Sequence, residues 1–593
     1  MDRMSANRRL GVLLTLSLAA CSAPQGLSTT PAPDVGRRVV AENGAVSSAS
    51  PHASEAGVEI LRAGGNAVDA AVATAFAVGV AEPQMSGIGG SGAMTIWLQD
   101  EGRADFIDFY AAQNADSWAA AFASGGMPAE RTGPADLRIV GIPGEVAGLL
   151  AAHEKYGRLP RARVMEPAIR LAEEGFPVNQ VLAEFIVSSK AKLGRFDASM
   201  ALMMPGGTPL APGDRFRNPA LAQVLRRIAE EGADGFYKGE TARRMVEALN
   251  AGGNPATLQD LADYRVQWER PVCTTYRGRV LLSAPPPLSG ANVLEVLKLI
   301  EPHDMPRLGL PTQSAGALDV LASALRVGTA DNRGNGDPNW SPMAAAGRVS
   351  EAYLRERSDL VGKGRVVSPV PAGDALRHES ATPAAACAAL DPYGPTPSIP
   401  GVASSGGGDE AAGQGETTHL SVVDDEGNAV ALTQTNSTVF GSGASVLGFF
   451  LNDSGFQFTP ETVSAPSLSR WRTRSTTISP TLVLRDGRVE MVVGAPGGGY
   501  IQPTIAQTMV YVLDYGMDPL EAVRMPRLFA DPGSAGLQME TGFTATALEG
   551  ARAMGWEPEA LPPGYARIYM IVRRGGRWVA VADPRHNGEA RGY

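Results

Sequence analysis

The sequence predicts a mixed α+β protein, on three observations. Apolar residues recur at helical spacing early in the chain, over residues 53–61 and again from Asn66 onward. Residues 135–265 also read as mostly helical, with turns such as Gly157-Arg-Leu-Pro160. After Thr417 the texture changes to short β-branched runs, at 417–424, 429–435, 481–484 and 489–493.

Taken in order, the first helical stretch spans about 55–82 and is interrupted by Gly64-Gly65. Its second half is rich in alanine, which lets helices pack closely in a buried layer. Gly87-Ile-Gly-Gly-Ser-Gly92 follows, then a strand-like run at 93–98. Those glycines fit G-x-G-x-x-G, but that fingerprint needs a strand before it and a helix after it. Here the order is helix, glycines, strand, so we read a structural loop with close backbone approach. Residues 365–416 are rich in Ala, Pro, Gly and Ser. Their end, 401–416, has almost no apolar anchor and reads as a mobile linker.

Composition narrows the function. The 593 residues are 44% hydrophobic and 19% charged, ordinary for a globular chain with one large core or several domains. The net charge of −10 is spread without a basic stripe, which argues against nucleic acid as a partner. None of the six histidines lies at a zinc-ligand spacing from another, and His153 heads a His-Glu-Lys-Tyr-Gly run without a second histidine. We expect no metal and no cofactor. Gly90-Ser91-Gly92 and Gly441-Ser442-Gly443 come near the G-x-S-x-G elbow of α/β-hydrolases, and neither fits.

The first residues read as an address. Arg8 and Arg9 precede a short apolar run ending Leu18-Ala19-Ala20-Cys21. That run resembles a bacterial lipoprotein signal over residues 1–21, with Cys21 lipidated and residues 22–38 a flexible tether; an ordinary secretory signal is the alternative. The expected location is the cell envelope, facing the periplasm, with the membrane reached only through the lipid. Cys273 and Cys387 are then able to pair in an oxidising compartment, though sequence cannot place their Cα atoms.

The segment richest in chemical meaning is Glu416-Thr-Thr-His-Leu-Ser-Val-Val-Asp424, then Asp425-Glu-Gly427, then Asn428-Ala-Val-Ala-Leu-Thr-Gln-Thr435. Two strands flank a three-residue turn with glycine last, a recognised hairpin. If Asp424 faces Asn428, Thr417 falls opposite Thr435. A threonine hydroxyl needs a nearby base to act as a nucleophile. Breaking the bond between Glu416 and Thr417 frees an α-amine with a pKa of about 7.7–8.0, suited to that task. Thr435 would orient the hydroxyl or the amine. On spacing alone both threonines are equally at home as ordinary strand residues. Further on, Pro496-Gly497-Gly498-Gly499 follows a strand and would expose backbone N–H groups, as an oxyanion hole requires, or form a plain turn. Thr476 and Thr477 offer hydroxyls to a substrate or to the backbone.

At this point the chain resembles the γ-glutamyltranspeptidase (glutathione hydrolase) family of the N-terminal-nucleophile hydrolase superfamily. The resemblance runs from about Val39 to Tyr593. It rests on Gly64-Gly-Asn-Ala-Val-Asp-Ala-Ala71, Ser86-Gly-Ile-Gly-Gly90, Val140-Gly-Ile-Pro-Gly144, Tyr276-Arg-Gly278, Pro285-Pro-Pro-Leu-Ser-Gly290, Thr417-Thr-His419 and Pro496-Gly-Gly498, in that order. It implies a four-layer αββα sandwich and a precursor cut before Thr417 into a large subunit, 39–416, and a small subunit, 417–593. It makes Thr417 the nucleophile, Thr435 its hydrogen-bonding partner, and the N–H groups of Gly497 and Gly498 the oxyanion hole. An acyl ester on Thr417 would be hydrolysed by water or passed to an acceptor amine.

The sequence departs from the family where the substrate is gripped. The arginine that holds the substrate α-carboxylate falls at Tyr110, and the aspartate that holds the α-ammonium falls at Gln457. A nearby Gln or Glu becomes Ser454, a substrate-contacting Asn becomes Ser437, and a serine pair becomes Thr476 and Thr477. Each lost charged partner costs roughly 1.5–3 kcal/mol. The expected activity is therefore an amide-hydrolysing or acylase-like one on a small-molecule amide or γ-glutamyl-like donor, with true glutathione hydrolysis as the alternative. Arg470, Arg472 and Arg474 are candidates for a replacement charge. A non-catalytic envelope binding protein with the same fold is the reading from another class.

Overall fold

The computed structural model describes residues 36–113, 137–332, 343–390, 416–457, 475–561 and 566–593. The signal segment 1–21 with Cys21, residues 22–35 of the expected tether, residues 401–415 of the expected linker, and Arg470, Arg472 and Arg474 lie outside these. Two segment ends differ from expectation. Arg38, expected at the end of the tether, opens the strand Arg38–Ala41, and the buried Arg37 donates to the carbonyl of Asp583 at 3.3 Å. Glu416, expected to close the linker, is the first residue of the strand Glu416–Val423.

The fold is α+β, built on two seven-stranded sheets whose neighbouring strands all run antiparallel. In the first the order is Glu589–Gly592, Ala45–Ser48, Glu416–Val423, Ala429–Ser437, Ser91–Leu98, Arg103–Phe109, Gln267–Glu269. In the second it is Arg38–Ala41, Arg577–Ala582, Tyr569–Arg574, Arg488–Gly494, Thr481–Arg485, Arg279–Ser283, Val272–Tyr276.

Strand alternation decides what each face meets. Val423, Ala429 and Ala431 of the first sheet share a core with Leu482, Leu484, Val492, Ile571 and Ala580 of the second. Hydrogen bonds cross there too, from Ser47 Oγ to Val581 O (2.6 Å), Thr95 Oγ1 to Pro480 O (2.8 Å) and Ser421 Oγ to Tyr569 O (2.9 Å). Leu420, Val422, Val430 and Leu432 point the other way, into a core with the helices Pro51–Arg62, Ala67–Ala81 and Glu145–Tyr156. Val483, Met491, Val493 and Met570 of the second sheet pack on Gly290–Ile300, Ala315–Asn332 and Ile501–Leu513.

The early helical stretch breaks where the glycines stand, with Gly64 at φ +87. Asn66 then starts Ala67–Ala81 with a capping box to Asp69. All fifteen residues of that helix are buried, so alanine serves close packing between a sheet and further helices. The order helix, glycine loop, strand holds, with Ser91–Leu98 following Gly87 to Gly90. Cys273, on an edge strand of the second sheet, is bonded to Cys387 with Cα atoms 5.7 Å apart.

Candidate active site

The hairpin carrying Thr417 and Thr435 forms as two central strands. Its tip is held by Asp424, whose carboxylate accepts from Glu426 N (3.1 Å), Asn428 N (2.9 Å) and the helix-leading Ala67 N (2.9 Å). Gly427 takes φ +93, which the tight turn requires. Asp424 N bonds Asn428 O at 3.1 Å, and the pairing runs unshifted from Val423↔Ala429 back to Thr418↔Gln434. There the register slips, and Glu416 pairs with Ser437. The expected pairing of Thr417 with Thr435 is thus replaced by a bulge, which turns the strand at Thr417. The side chains still meet: Thr417 Oγ1 lies 3.3 Å from Thr435 Oγ1, with both residues buried.

Two residues on, His419 is fully buried. Ser421 Oγ gives its proton to Tyr569 O, so it accepts from His419 Nε2 (3.1 Å). Nδ1 then accepts from Thr433 Oγ1 (2.8 Å). Burial drives the imidazole down to about 3, so it is neutral in neutral solution. Gly494, at the end of a strand in the opposite sheet, leaves the space the ring fills: a Cβ there would sit 2.3 Å from His419 Cε1. The segment leading to Gly497 and Gly498 therefore starts across the sheet interface from the Thr417 strand.

Past Thr435 the backbone bends sharply. Ser437 is held at φ +81, unfavourable for a residue with a Cβ, and its N–H donates to Thr435 Oγ1 at 2.7 Å. Ser437 Oγ lies 2.9 Å from Ser454 Oγ, so these two sequence-selected serines meet. Ser454 N donates to Asn452 Oδ1 (3.1 Å), and Asn452 Nδ2 donates to Gly89 O and Gly141 O, each at 2.9 Å. Asp453 accepts from Thr438 N at 3.1 Å and from the Thr438 hydroxyl. Its carboxylate is thus spent on the turn. Gln457 ends the short 3₁₀ segment Ser454–Gln457.

Gly497 (φ +138) and Gly498 (φ +55) adopt backbones suited to glycine and lead into the 3₁₀ turn Gly498–Tyr500 and the helix Ile501–Leu513. N–H groups at such a helix start favour developing negative charge. Thr476 is docked on the Pro285–Gly290 turn: its N–H donates to Pro287 O (3.1 Å) and its carbonyl accepts from Ser289 Oγ (2.7 Å). Thr477 is buried beside it, its carbonyl accepting from Ser479 Oγ at 3.0 Å. Tyr110 continues the strand Arg103–Phe109. Gly92 pairs with Phe109 there and with Gln434 on its other side. It lies roughly three strand spacings of ~4.8 Å from Thr417, beside a cavity of about 160 Å³ lined also by Asp108, Tyr264, Arg265 and Gln267. Tyr110 N donates to Asp108 Oδ1 (2.7 Å).

Sequence reasoning passed over His419 as a packed neutral ring, Asn452 as the knot behind Ser454, and Glu82. Glu82 Oε2 accepts from Thr418 Oγ1 at 3.1 Å. The only sequence signal among these was that His419 stands in the Thr417-Thr-His419 run. Among the described residues no group of three His, Cys, Asp or Glu could hold a metal ion.

This fold and site define an enzyme of the N-terminal-nucleophile hydrolase superfamily. Within it the chain belongs to the gamma-glutamyltranspeptidase family, whose model matches residues 53–593. It is 31% identical to the glutathione hydrolase proenzyme of Escherichia coli K12, covering 98% of this chain and 97% of that one. It is 32% identical to the acylase ACY 1 proenzyme of Pseudomonas sp. SE83, over 82% of each. In fold it matches the cephalosporin acylase of Bacillus halodurans, with TM-score 0.79 and 24% identity over 98% of this chain and 99% of that.

Proposed function

We propose that this enzyme is a self-cleaving amidohydrolase whose precursor is cut between Glu416 and Thr417, with Thr417 the nucleophile of the mature form. The buried contact of the Thr417 and Thr435 hydroxyls at 3.3 Å, at a bulge that opens the strand, carries the reading. In the mature site Thr417 Oγ attacks the amide carbonyl and passes its proton to its own α-amine. The amine hands that proton to the departing nitrogen, leaving an acyl ester on Thr417. Water then attacks the ester, losing a proton to the amine, which returns it to Thr417 Oγ as the acid is released; an acceptor amine in place of water gives transfer. The N–H groups of Gly497 and Gly498 hold the oxyanion. His419 has both ring nitrogens engaged and its basicity lowered by burial, which favours the α-amine as the base. The two sheets with helices on their outer faces are then the αββα sandwich of this superfamily, and the two subunits are 39–416 and 417–593.

Donor choice is read from what replaces the family's charged grips. Tyr110 and Gln457 cannot pair with a carboxylate and an ammonium as Arg and Asp do, so the donor is an acyl amide other than zwitterionic γ-glutamyl. Relatives named acylase and relatives named glutathione hydrolase match at similar identity, which favours the family chemistry without fixing the donor. We further propose that the N-terminal segment exports the chain and lipidates Cys21 on a periplasm-facing surface; the Cys273–Cys387 bond suits that compartment.

Intact mass and N-terminal sequencing of the purified protein test the cut: a fragment beginning Thr417-Thr418-His419 is expected, and Thr417→Ala should stay whole. Turnover of γ-glutamyl and glutaryl anilides then tests the donor. Faster release from the γ-glutamyl compound would establish a glutathione-type enzyme and overturn the specificity reading.

A further inference from the structure

A buried acid sits one residue from the proposed cut. Glu82 follows the helix Ala67–Ala81 and caps it, its N–H donating to Val78 O at 2.7 Å. A carboxylate at a helix C-terminus opposes the helix dipole, and Glu82 is only 3% exposed. Oε2 accepts the hydroxyl of fully buried Thr418 at 3.1 Å, and Oε1 lies 3.7 Å from Nδ1 of buried His586. Neither ring nitrogen of His586 has a hydrogen-bond partner among the described residues. Burial first, then the nearby Arg567 and Arg37, hold that ring neutral, against the opposing pull of Asp583. His586 thus lines one side of the Glu82 carboxylate.

The segment from Glu82 to Gly90 also grips the opposite strand. Met85 O accepts from Asn436 N (2.9 Å), Pro83 O from Asn436 Nδ2 (3.3 Å) and Ser86 Oγ from Gln434 Nε2 (3.0 Å). Gly90 passes so near that a Cβ would lie 2.5 Å from Thr435 O. One loop therefore holds the residue after Thr417 through Glu82 and both residues flanking Thr435 through its backbone and Ser86.

We propose that Glu82, backed by His586, is a positioning residue for Thr417. By anchoring the Thr418 side chain it fixes the bulged backbone at Thr417, so that the Thr417 hydroxyl meets the bond to be cut in the precursor. The inference rests on Thr417 being the self-cleaving residue.

The test follows self-cleavage over time by denaturing electrophoresis, with the thermal midpoint measured in parallel. Glu82→Ala should cut at least roughly tenfold more slowly, the rate equivalent of a lost charged hydrogen bond. Glu82→Gln keeps an acceptor for Thr418 and should recover most of the rate. Thr418→Val removes the same contact from the other side at equal volume, so it reports even where Glu82→Ala folds poorly. Adding Glu82→Ala to Thr418→Val should slow cutting no further. Wild-type rates in both single variants, or rates that fall only as the thermal midpoint falls and are not restored by Glu82→Gln, would overturn the proposal. An uncut wild type would instead remove the Thr417 reading itself.

Discussion

Acidification should weaken this protein through His419. The ring is buried against Gly494 and spends both nitrogens on Thr433 and Ser421, so its folded pKa falls from 6.5 to about 3. The sign follows from proton counting. Unfolded chain takes up a proton below about 6.5 and the native ring does not until about 3, so stability is lost as pH falls through that window. Between pH 7 and pH 5 the loss from this one group is about 2 kcal/mol, and it continues at about 1.4 kcal/mol per pH unit below that. The assay is urea unfolding, at pH 7 and pH 5, of the Thr417→Ala chain, which the proposed mechanism requires to stay in one piece. His419→Gln in that background removes the titrating ring. Its absolute stability will be lower, but the gap between pH 7 and pH 5 should shrink by about 2 kcal/mol. An unchanged gap would refute the assignment of a neutral, proton-excluding His419.

Other outcomes are as definite. Thr435→Val removes the acceptor for both Thr417 Oγ1 and Ser437 N, so self-cleavage should slow by roughly tenfold or more, while Thr435→Ser should retain most of the rate. Gly494→Ala should cost about 1–3 kcal/mol or block folding, read as a lowered thermal midpoint, because its methyl group would overlap the His419 ring. Glu145 is wholly buried, its carboxyl oxygens have no hydrogen-bond partner among the described residues, and burial raises its pKa well above 4.5. The native chain keeps that proton as pH rises past the unfolded value, so stability falls by about 1.4 kcal/mol per pH unit there; Glu145→Gln should flatten that slope in the same unfolding assay. The Cys273–Cys387 bond closes a loop that ends before Glu416, so a cut protein should separate into two bands on a denaturing gel without reductant.

Much of the hairpin was legible because its information is local. Alternation fixed the strand faces, and Asp424 to Gly427 fixed the turn, so the register from Val423↔Ala429 to Thr418↔Gln434 follows from the residues. The slip at Thr417 was not legible, since it depends on Ser437 taking a left-handed backbone that no propensity signals in a serine. The neighbours of the hairpin were hidden for a different reason. Ala45–Ser48 and Ser91–Leu98 pair with it across more than three hundred residues, and single-sequence periodicity carries nothing over that separation. The departure at Tyr110 could be seen from the family resemblance, while the cavity beside it draws on Asp263, Tyr264 and Arg265 from a distant turn. Glu82 read as a plain helix end until Thr418 was seen against it.

The pairing order of the first sheet carries a consequence for the life history of the molecule. Strands from the two sides of the proposed cut interleave within it: Ala45–Ser48 lies between Glu589–Gly592 and Glu416–Val423, and Ala429–Ser437 lies against Ser91–Leu98. Neither piece of a chain severed at Thr417 would own a complete sheet. In the unbroken chain those strands are held together covalently, and a cut before Thr417 would remove that link. Once unfolded, the two pieces would have to find each other in solution, so recovery of activity should depend on protein concentration in the cut form and not in the uncut one.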